Sequence, residues 1–212
     1  GLLKGIVLNT ADDLGNVGPD YIYGWGRINV LKAFNTIKEK RYASGTIDNA
    51  ANKTHTITVP ANVKELKVMV YWSDPAAASG VAKALINDLD ITLTDPASKA
   101  NEPWLLSFAA SATELSKPAT RGKDKRNNME QVSIENPAAG TYTLNVNGFQ
   151  VPSGPQEYFV IYEFIKDEIV VTYPLGGESL VPGESETIRW DAAAKAGTFK
   201  VEYSTDNGAT WQ

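Results

Sequence analysis

The sequence predicts a mainly β protein: an antiparallel jelly-roll β-sandwich, preceded by two short helices and followed by part of a second β-sandwich. Three observations carry that expectation. Helix-spaced apolar residues are confined to residues 1–42, an apolar period of two runs over about 45–165, and a separate set of short strands follows 167. The expected divisions are therefore 1–42, 43–166 and 167–212.

Leu2, Leu3, Ile6 and Val7 have helix spacing, and Asn9-Thr10-Ala11-Asp12-Asp13 reads as a stop followed by a polar loop. After the turn-rich segment 15–20, Asn29 is placed to cap a second helix, because its side chain can accept from the unpaired amides of the next turn. Leu31, Phe34 and Ile37 then mark one apolar face. Lys38, Lys40 and Arg41 close the helix where positive charge suits its dipole.

In the middle stretch Leu66, Val68, Val70 and Trp72 share one strand face, with Lys67, Met69 and Tyr71 on the other. Leu89, Ile91 and Leu93 alternate with Asp88, Asp90, Thr92 and Thr94, and Tyr142, Leu144 and Val146 alternate with Thr141, Thr143 and Asn145. Residues 158–165 read as apolar on both faces, as expected of a central strand. Turn-rich segments such as 73–80 and 136–140 punctuate the pattern, which suits a sandwich of roughly eight strands. The last stretch reads as strands near 169–171, 186–190 and 199–203, with Asp206-Asn207-Gly208 as a hairpin turn. Three or four strands in so short a stretch are about half of a sandwich domain of about 100 residues. The expectation is a domain whose remaining strands lie beyond Gln212.

Composition narrows the function classes. The 212 residues are 42% hydrophobic and 21% charged, enough to bury a core. The net charge of −5 gives no broad basic surface, so a nucleic-acid partner is not expected. No apolar run reaches about 18 residues, so no membrane-spanning helix is expected. A charged-then-apolar leader is also missing, so an export signal would be removed or lie upstream. With no cysteine there is no disulfide, no cysteine-ligated metal and no thiol nucleophile, and a single histidine excludes any site needing two.

Three groups of residues resemble a known family. Leu3-Lys4-Gly5-Ile6-Val7-Leu8-Asn9-Thr10-Ala11, then Gly18-Pro19-Asp20-Tyr21-Ile22-Tyr23-Gly24-Trp25-Gly26-Arg27-Ile28-Asn29-Val30, look like the end of a subtilisin-like catalytic domain. Val70-Tyr71-Trp72-Ser73-Asp74-Pro75, Leu85-Ile86-Asn87-Asp88-Leu89-Asp90-Ile91, Asn127-Asn128-Met129-Glu130-Gln131-Val132 and Pro137-Ala138-Ala139-Gly140-Thr141-Tyr142 resemble the P-domain-like jelly roll that follows it in some large bacterial subtilases. Tyr173-Pro174, Ile188-Arg189-Trp190 and residues 202–211 look like the start of an immunoglobulin-like repeat of secreted bacterial enzymes. The resemblance implies that 1–42 is a catalytic-domain remnant, 43–166 the jelly roll and 167–212 a truncated immunoglobulin-like domain. It also implies a secreted or cell-surface parent that hydrolyses peptide bonds in protein substrates, with its own catalytic domain as the jelly roll's partner. The family's nucleophile loop, Gly-Thr-Ser-Met-Ala-like, is absent here, so the chain is expected to be non-catalytic.

Two candidate chemistries remain. His55 sits in Thr54-His55-Thr56-Ile57-Thr58-Val59 with no serine in a nucleophile-elbow pattern, and reads as a structural histidine. Asp88 and Asp90 flank Leu89 and so share a strand face, where two like charges repel unless a cation lies between them. Calcium, which takes six to eight oxygens, suits that pair; Asp74, Asn87, Asp124, Asn127, Asn128 and Glu130 supply further oxygen-rich loops. The jelly rolls of the resembled family bind calcium, which favours a structural calcium ion. Glu130 shares a face with Val132 and Ile134, an odd place for an unpaired carboxylate. The competing reading is a set of acids bridged to Arg121, Lys123, Lys125 or Arg126. A rival function, a carbohydrate- or surface-binding β-sandwich module, rests on Trp104, which follows Pro103 in an expected loop; Trp72 reads as core.

Overall fold

The computed structural model describes residues 1–166, 168–192 and 198–212. The chain divides into two compact units, Gly1–Lys166 and Asp167–Gln212. The first opens with α1 (Leu2–Asn9), whose end is marked by Thr10; the Thr10 hydroxyl donates to the Ile6 carbonyl at 2.8 Å. In α2 (Val30–Lys38) Asn29 is the cap, its side chain accepting from Lys32 N at 3.0 Å. The loop between the helices is pinned by a bridge between Asp12 and Arg27, and by Asp20, whose carboxylate accepts from the amides of Ile22 and Tyr23. The glycine of the Trp25-Gly26 step is required there, since a Cβ on Gly26 would collide with the Asp12 carbonyl.

Ten strands follow. They are β1 (Tyr42–Ile47), β2 (Asn52–Val59), β3 (Val63–Trp72), β4 (Asp88–Thr94), β5 (Ala100–Asn101), β6 (Trp104–Leu105), β7 (Thr120–Arg121), β8 (Met129–Glu135), β9 (Gly140–Gln150) and β10 (Gln156–Lys166), with the one-turn helix α3 (Ala112–Leu115) between β6 and β7. Two four-stranded antiparallel sheets form, ordered β1-β10-β3-β8 and β2-β9-β4-β5, while β6 and β7 pair as a short ribbon. Setting the ribbon aside and counting the sandwich strands in chain order gives 1-8-3-6 facing 2-7-4-5. In that interleaving consecutive strands alternate between the sheets except the fourth and fifth, which pair within one sheet, and it is the jelly-roll order.

The alternation read from the sequence sorts the core. Leu66, Val68, Val70 and Trp72 of β3 face Leu89, Ile91, Leu93, Tyr142, Leu144 and Val146 across the sheets and are buried. The opposite face of β3 is also buried, because Met69 and Tyr71 lie under α1. Ile6 packs there with Ile161, and Gly5 allows close approach: a Cβ at Gly5 would stand 2.6 Å from Ile161 Cδ1. Polar ties reinforce this docking, with Gln131 Nε2 donating to Asn9 Oδ1 at 2.9 Å and Lys67 Nζ to the Ala11 carbonyl at 3.0 Å.

For α2 the outcome is different. Ala33 and Thr36 turn inward, whereas Val30, Leu31, Phe34 and Ile37, the apolar stripe, stand exposed. Val30 is 73% and Phe34 57% exposed. In the second unit β11 (Ile169–Tyr173) pairs antiparallel with β12 (Arg189–Ala192). The Asp206 turn is closed by two hydrogen bonds between Tyr203 and Gln212, and Asp206 accepts from Thr210 N and Oγ1. No described residue of that unit is buried.

Candidate functional site

The oxygen-bearing residues singled out by sequence fall into two groups. Asp74, Asn87, Asp124, Asn127 and Asn128 organise loops. Asp74 accepts from the amides of Ile86 and Asn87 at 2.8 and 2.7 Å. Asn87 is fully buried; its Nδ2 donates to Ser153 O and Gln156 Oε1, and its Oδ1 accepts from Ser153 N. Asn128 Nδ2 donates to Trp72 O at 2.6 Å. Asp124 accepts from the amides of Arg126 and Asn127 and from Asn127 Nδ2. Asp74, Asn87, Asp124 and Asn128 thus tie down the backbone of the loops around β4 and β8.

The second group is Asp88, Asp90 and Glu130, all buried. Asp88 and Asp90 stand at the start of β4, where the register against β9 shifts: Asp88 lies opposite Gln150, Asp90 opposite Asn147. Each is covered by an ammonium group, Lys83 Nζ at 3.0 Å from Asp88 Oδ2 and Lys123 Nζ at 3.1 Å from Asp90 Oδ2. Both lysines remain substantially exposed, while the carboxylates beneath are not. Burial pushes the Asp88 carboxyl above its ordinary range, with Lys83 pulling it back and Asp90 adding to the rise. The bond to Asp90 holds Lys123 above the usual lysine range. The remaining oxygens, Asp88 Oδ1 and Asp90 Oδ1, are buried without a hydrogen-bond partner. Of the bridges that the sequence allowed, Lys123 is used; Lys83, in a turn-rich segment with no pattern to mark it, is the partner that sequence reasoning missed.

Glu130 resolves the oddity of a carboxylate on an apolar face. Its Oε2 accepts from Ile91 N at 2.7 Å and its Oε1 from Asp124 N at 3.0 Å. Because β5 pairs with β4 only at Leu93 and Thr94, the amide of Ile91 has no strand partner on that side. The Glu130 carboxylate takes the partner's place and ties the edges of the two sheets together. Burial drives its pKa well above the ordinary carboxylate range, opposed by those two amides.

Among the described residues no group of three or more His, Asp or Glu side chains is placed to hold a metal ion. The carboxylate oxygens left without a partner here are Asp88 Oδ1 and Asp90 Oδ1, and Asp90 and Asp124 are charged neighbours of Glu130. Asp74, Asn87, Asn127 and Asn128 are engaged in the loop hydrogen bonds described above.

His55 stands on β2, half-buried, its Nε2 2.8 Å from the Tyr158 hydroxyl, with the two rings edge to face at 5.6 Å. Burial lowers its pKa. Trp104 lies in β6, where a loop was expected. The Arg121 guanidinium covers its ring at 3.3 Å from the centroid, Nε1 donates to Ser133 Oγ, and the backbone of Gly18 packs against the indole. An aromatic platform for sugar stacking is therefore not open at Trp104 in this arrangement.

No family model and no curated protein matches the sequence. Among solved structures, the chain is similar to a Bacillus licheniformis lipase, BlEst2, in propeptide form, at 21% identity with a TM-score of 0.32. That likeness covers 57% of this chain and 21% of the lipase. It is also similar to PliG, a periplasmic inhibitor of g-type lysozyme from Aeromonas hydrophila, at 13% identity and TM-score 0.29, covering 57% of this chain and 84% of that one. Among the described residues no helix is long and apolar enough to cross a membrane.

Proposed function

We propose that this chain is the non-catalytic C-terminal part of a secreted bacterial subtilisin-like serine endopeptidase, in which the jelly roll stabilises the catalytic domain. The peptide-bond hydrolysis belongs to a Ser–His–Asp triad outside residues 1–212. The observation that supports the reading is the divided character of residues 1–42. Their α1 side is sealed onto the sandwich, while Ile22, Ile28, Val30, Leu31 and Phe34 lie exposed on the other elements of the same segment. Exposed apolar side chains this numerous mark a surface that packs on something else, and a catalytic domain preceding them in the chain fits. Two measurements test it. The coding sequence upstream of Gly1 is expected to contain a Gly-Thr-Ser-Met-Ala-like loop, and its absence would sink the proposal. In the longer protein the double substitution Val30→Asp, Phe34→Asp is expected to lower the melting temperature by several degrees while leaving that of residues 1–212 within about one degree; equal shifts in both would count against it.

A structural calcium ion is the second part of the reading, favoured by the orphaned oxygens of Asp88 and Asp90. Calcium there would bring the buried carboxylates a permanent divalent partner and displace the ammonium groups of Lys83 and Lys123. It would stabilise by binding only the folded form. Calorimetric titration of the chelator-stripped chain is expected to give heat and a raised melting temperature, both lost on Asp88→Asn, Asp90→Asn. No heat and no thermal shift would remove calcium from the account.

A further inference from the structure

A cavity of about 420 Å³ opens on the first unit where the loop carrying Tyr21, the segment after β6 and the loop before β8 meet. Its walls are of two kinds. Leu105, Leu106 and Phe108 form the apolar side, and Phe108 is 62% exposed. Lys83, Lys123, Lys125 and Arg126 form the charged side, a concentration of positive charge on a chain whose net charge is −5. Lys83 and Lys123 pair with the buried Asp88 and Asp90 while their side chains stay 39% and 51% exposed, so the carboxylates lie behind the surface that a ligand meets. Lys125 and Arg126 form no ion pair among the described residues. Each stands over a ring, Arg126 over Phe108 at 3.8 Å and Lys125 over Phe149 at 4.7 Å, and Lys125 also attracts the buried Asp88 carboxylate at longer range. The Asp124 carboxylate, the one acid on the wall, is buried and satisfied by the amides of Arg126 and Asn127 and by Asn127 Nδ2. The Tyr21 hydroxyl donates to Ser107 O at 2.6 Å, which fixes the rim opposite the basic loop.

We propose that this cavity binds an acidic peptide segment, one that carries an apolar side chain beside its carboxylates. The apolar side chain packs on Leu106 and Phe108, and the carboxylates meet Lys125 and Arg126. A volume of this size takes one or two side chains, and apolar walls with a few polar groups are what such sites offer. Guanidinium and ammonium groups held on aromatic rings are already partly desolvated and ordered, which lowers the cost of pairing them with a carboxylate. The inference deepens the protease reading, and rests on it only in taking the ligand to be protein: the site would hold acidic stretches of a protein substrate.

The test uses residues 1–212 and needs no catalysis. A fluorescein-labelled peptide alternating glutamate and leucine is titrated by fluorescence anisotropy, beside a peptide with lysine in place of glutamate. Saturable binding of the glutamate peptide alone is expected, weakening at least several-fold between 50 and 300 mM salt. Lys125→Glu, Arg126→Glu is expected to weaken it tenfold or more, and Phe108→Ala several-fold, with circular dichroism unchanged. The proposal is overturned if the glutamate peptide does not saturate, if the charge reversal leaves its affinity intact, or if decanoate displaces it at concentrations similar to the unlabelled peptide. A null result here removes the peptide site alone, because the protease reading is decided separately by the upstream loop.

Discussion

Glu163 interrupts what the sequence presents as an apolar strand, and it is a residue through which pH acts on this molecule. It stands on β10 opposite Lys67 of β3 and is 2% exposed. Lys67 Nζ is engaged by the Ala11 carbonyl, and Glu163 Oε2 has no hydrogen-bond partner. Burial raises its pKa to about 7, with Lys32, Lys67 and Arg41 pulling down and Glu65 adding to the rise. Between the ordinary value of 4.5 and about 7 the folded chain keeps a proton that the unfolded chain has released. Stability therefore falls as pH rises through that window and levels off above it. The full effect is about 3 kcal/mol, from about 2.5 pKa units at 1.36 kcal/mol each. Glu163→Gln keeps the neutral shape, so the difference between wild type and variant in urea midpoints is expected to favour the variant progressively from pH 5 to pH 8. A constant difference over that range would show that Glu163 does not titrate there. Sequence reading passed over Glu163 because a single acid in a run of apolar residues leaves the strand periodicity intact. Only burial between β3 and the helical segment gives it meaning.

At the scale of elements, the strands were legible where one face is apolar and the other polar. The β3, β4 and β9 alternations place Leu66, Ile91 and Leu144 in the core as expected. The α2 stripe misleads for a physical reason. Amphipathicity tells which face of a helix is apolar, but a partner decides whether that face is covered, and within this unit Ala33 and Thr36 are the residues that pack inward. The ribbon of β6 and β7, two residues per strand, is too short for any period to register. Its stability comes instead from the stack of Arg121 on Trp104 and from Gly18 beneath the loop. Gly18 and Gly80 have nearly the same left-handed backbone, φ of 82° and 79°, yet a Cβ on Gly18 would lie 2.7 Å from the Trp104 ring while nothing lies within 4 Å of Gly80. Both alanine substitutions carry the backbone strain of about 1 kcal/mol. Gly18→Ala is expected to cost about 1–3 kcal/mol more, through displacement of the indole, as read by denaturant unfolding and Trp fluorescence. Equal costs would mean that Trp104 yields freely and does not anchor the ribbon. The calcium candidates divide in the same way. Oxygen-rich loops are visible in sequence, but only geometry separates Asp88 and Asp90, with unbonded oxygens, from Asp74 and Asn87, whose atoms are taken by backbone.

For the whole molecule, the contrast between segments is one of surface. Residues 43–166 close a core between two sheets and expose few large apolar side chains among those described, Val81, Phe108, Leu115 and Phe149. Residues 1–42 leave a stripe uncovered, and the described part of the second unit buries nothing. The pairing of β1 with β10 has a mechanical consequence. Tyr42, where the chain enters the sandwich, lies opposite Ile161, near Lys166 where it leaves, so both ends emerge at one edge of the same hydrogen-bonded ladder. A tension applied between residues 42 and 166 loads the ladder one rung at a time instead of shearing all its rungs together. Pulled in this way, the β1–β10 ladder is expected to peel from its Tyr42–Ile161 end at a lower force than one loaded in shear.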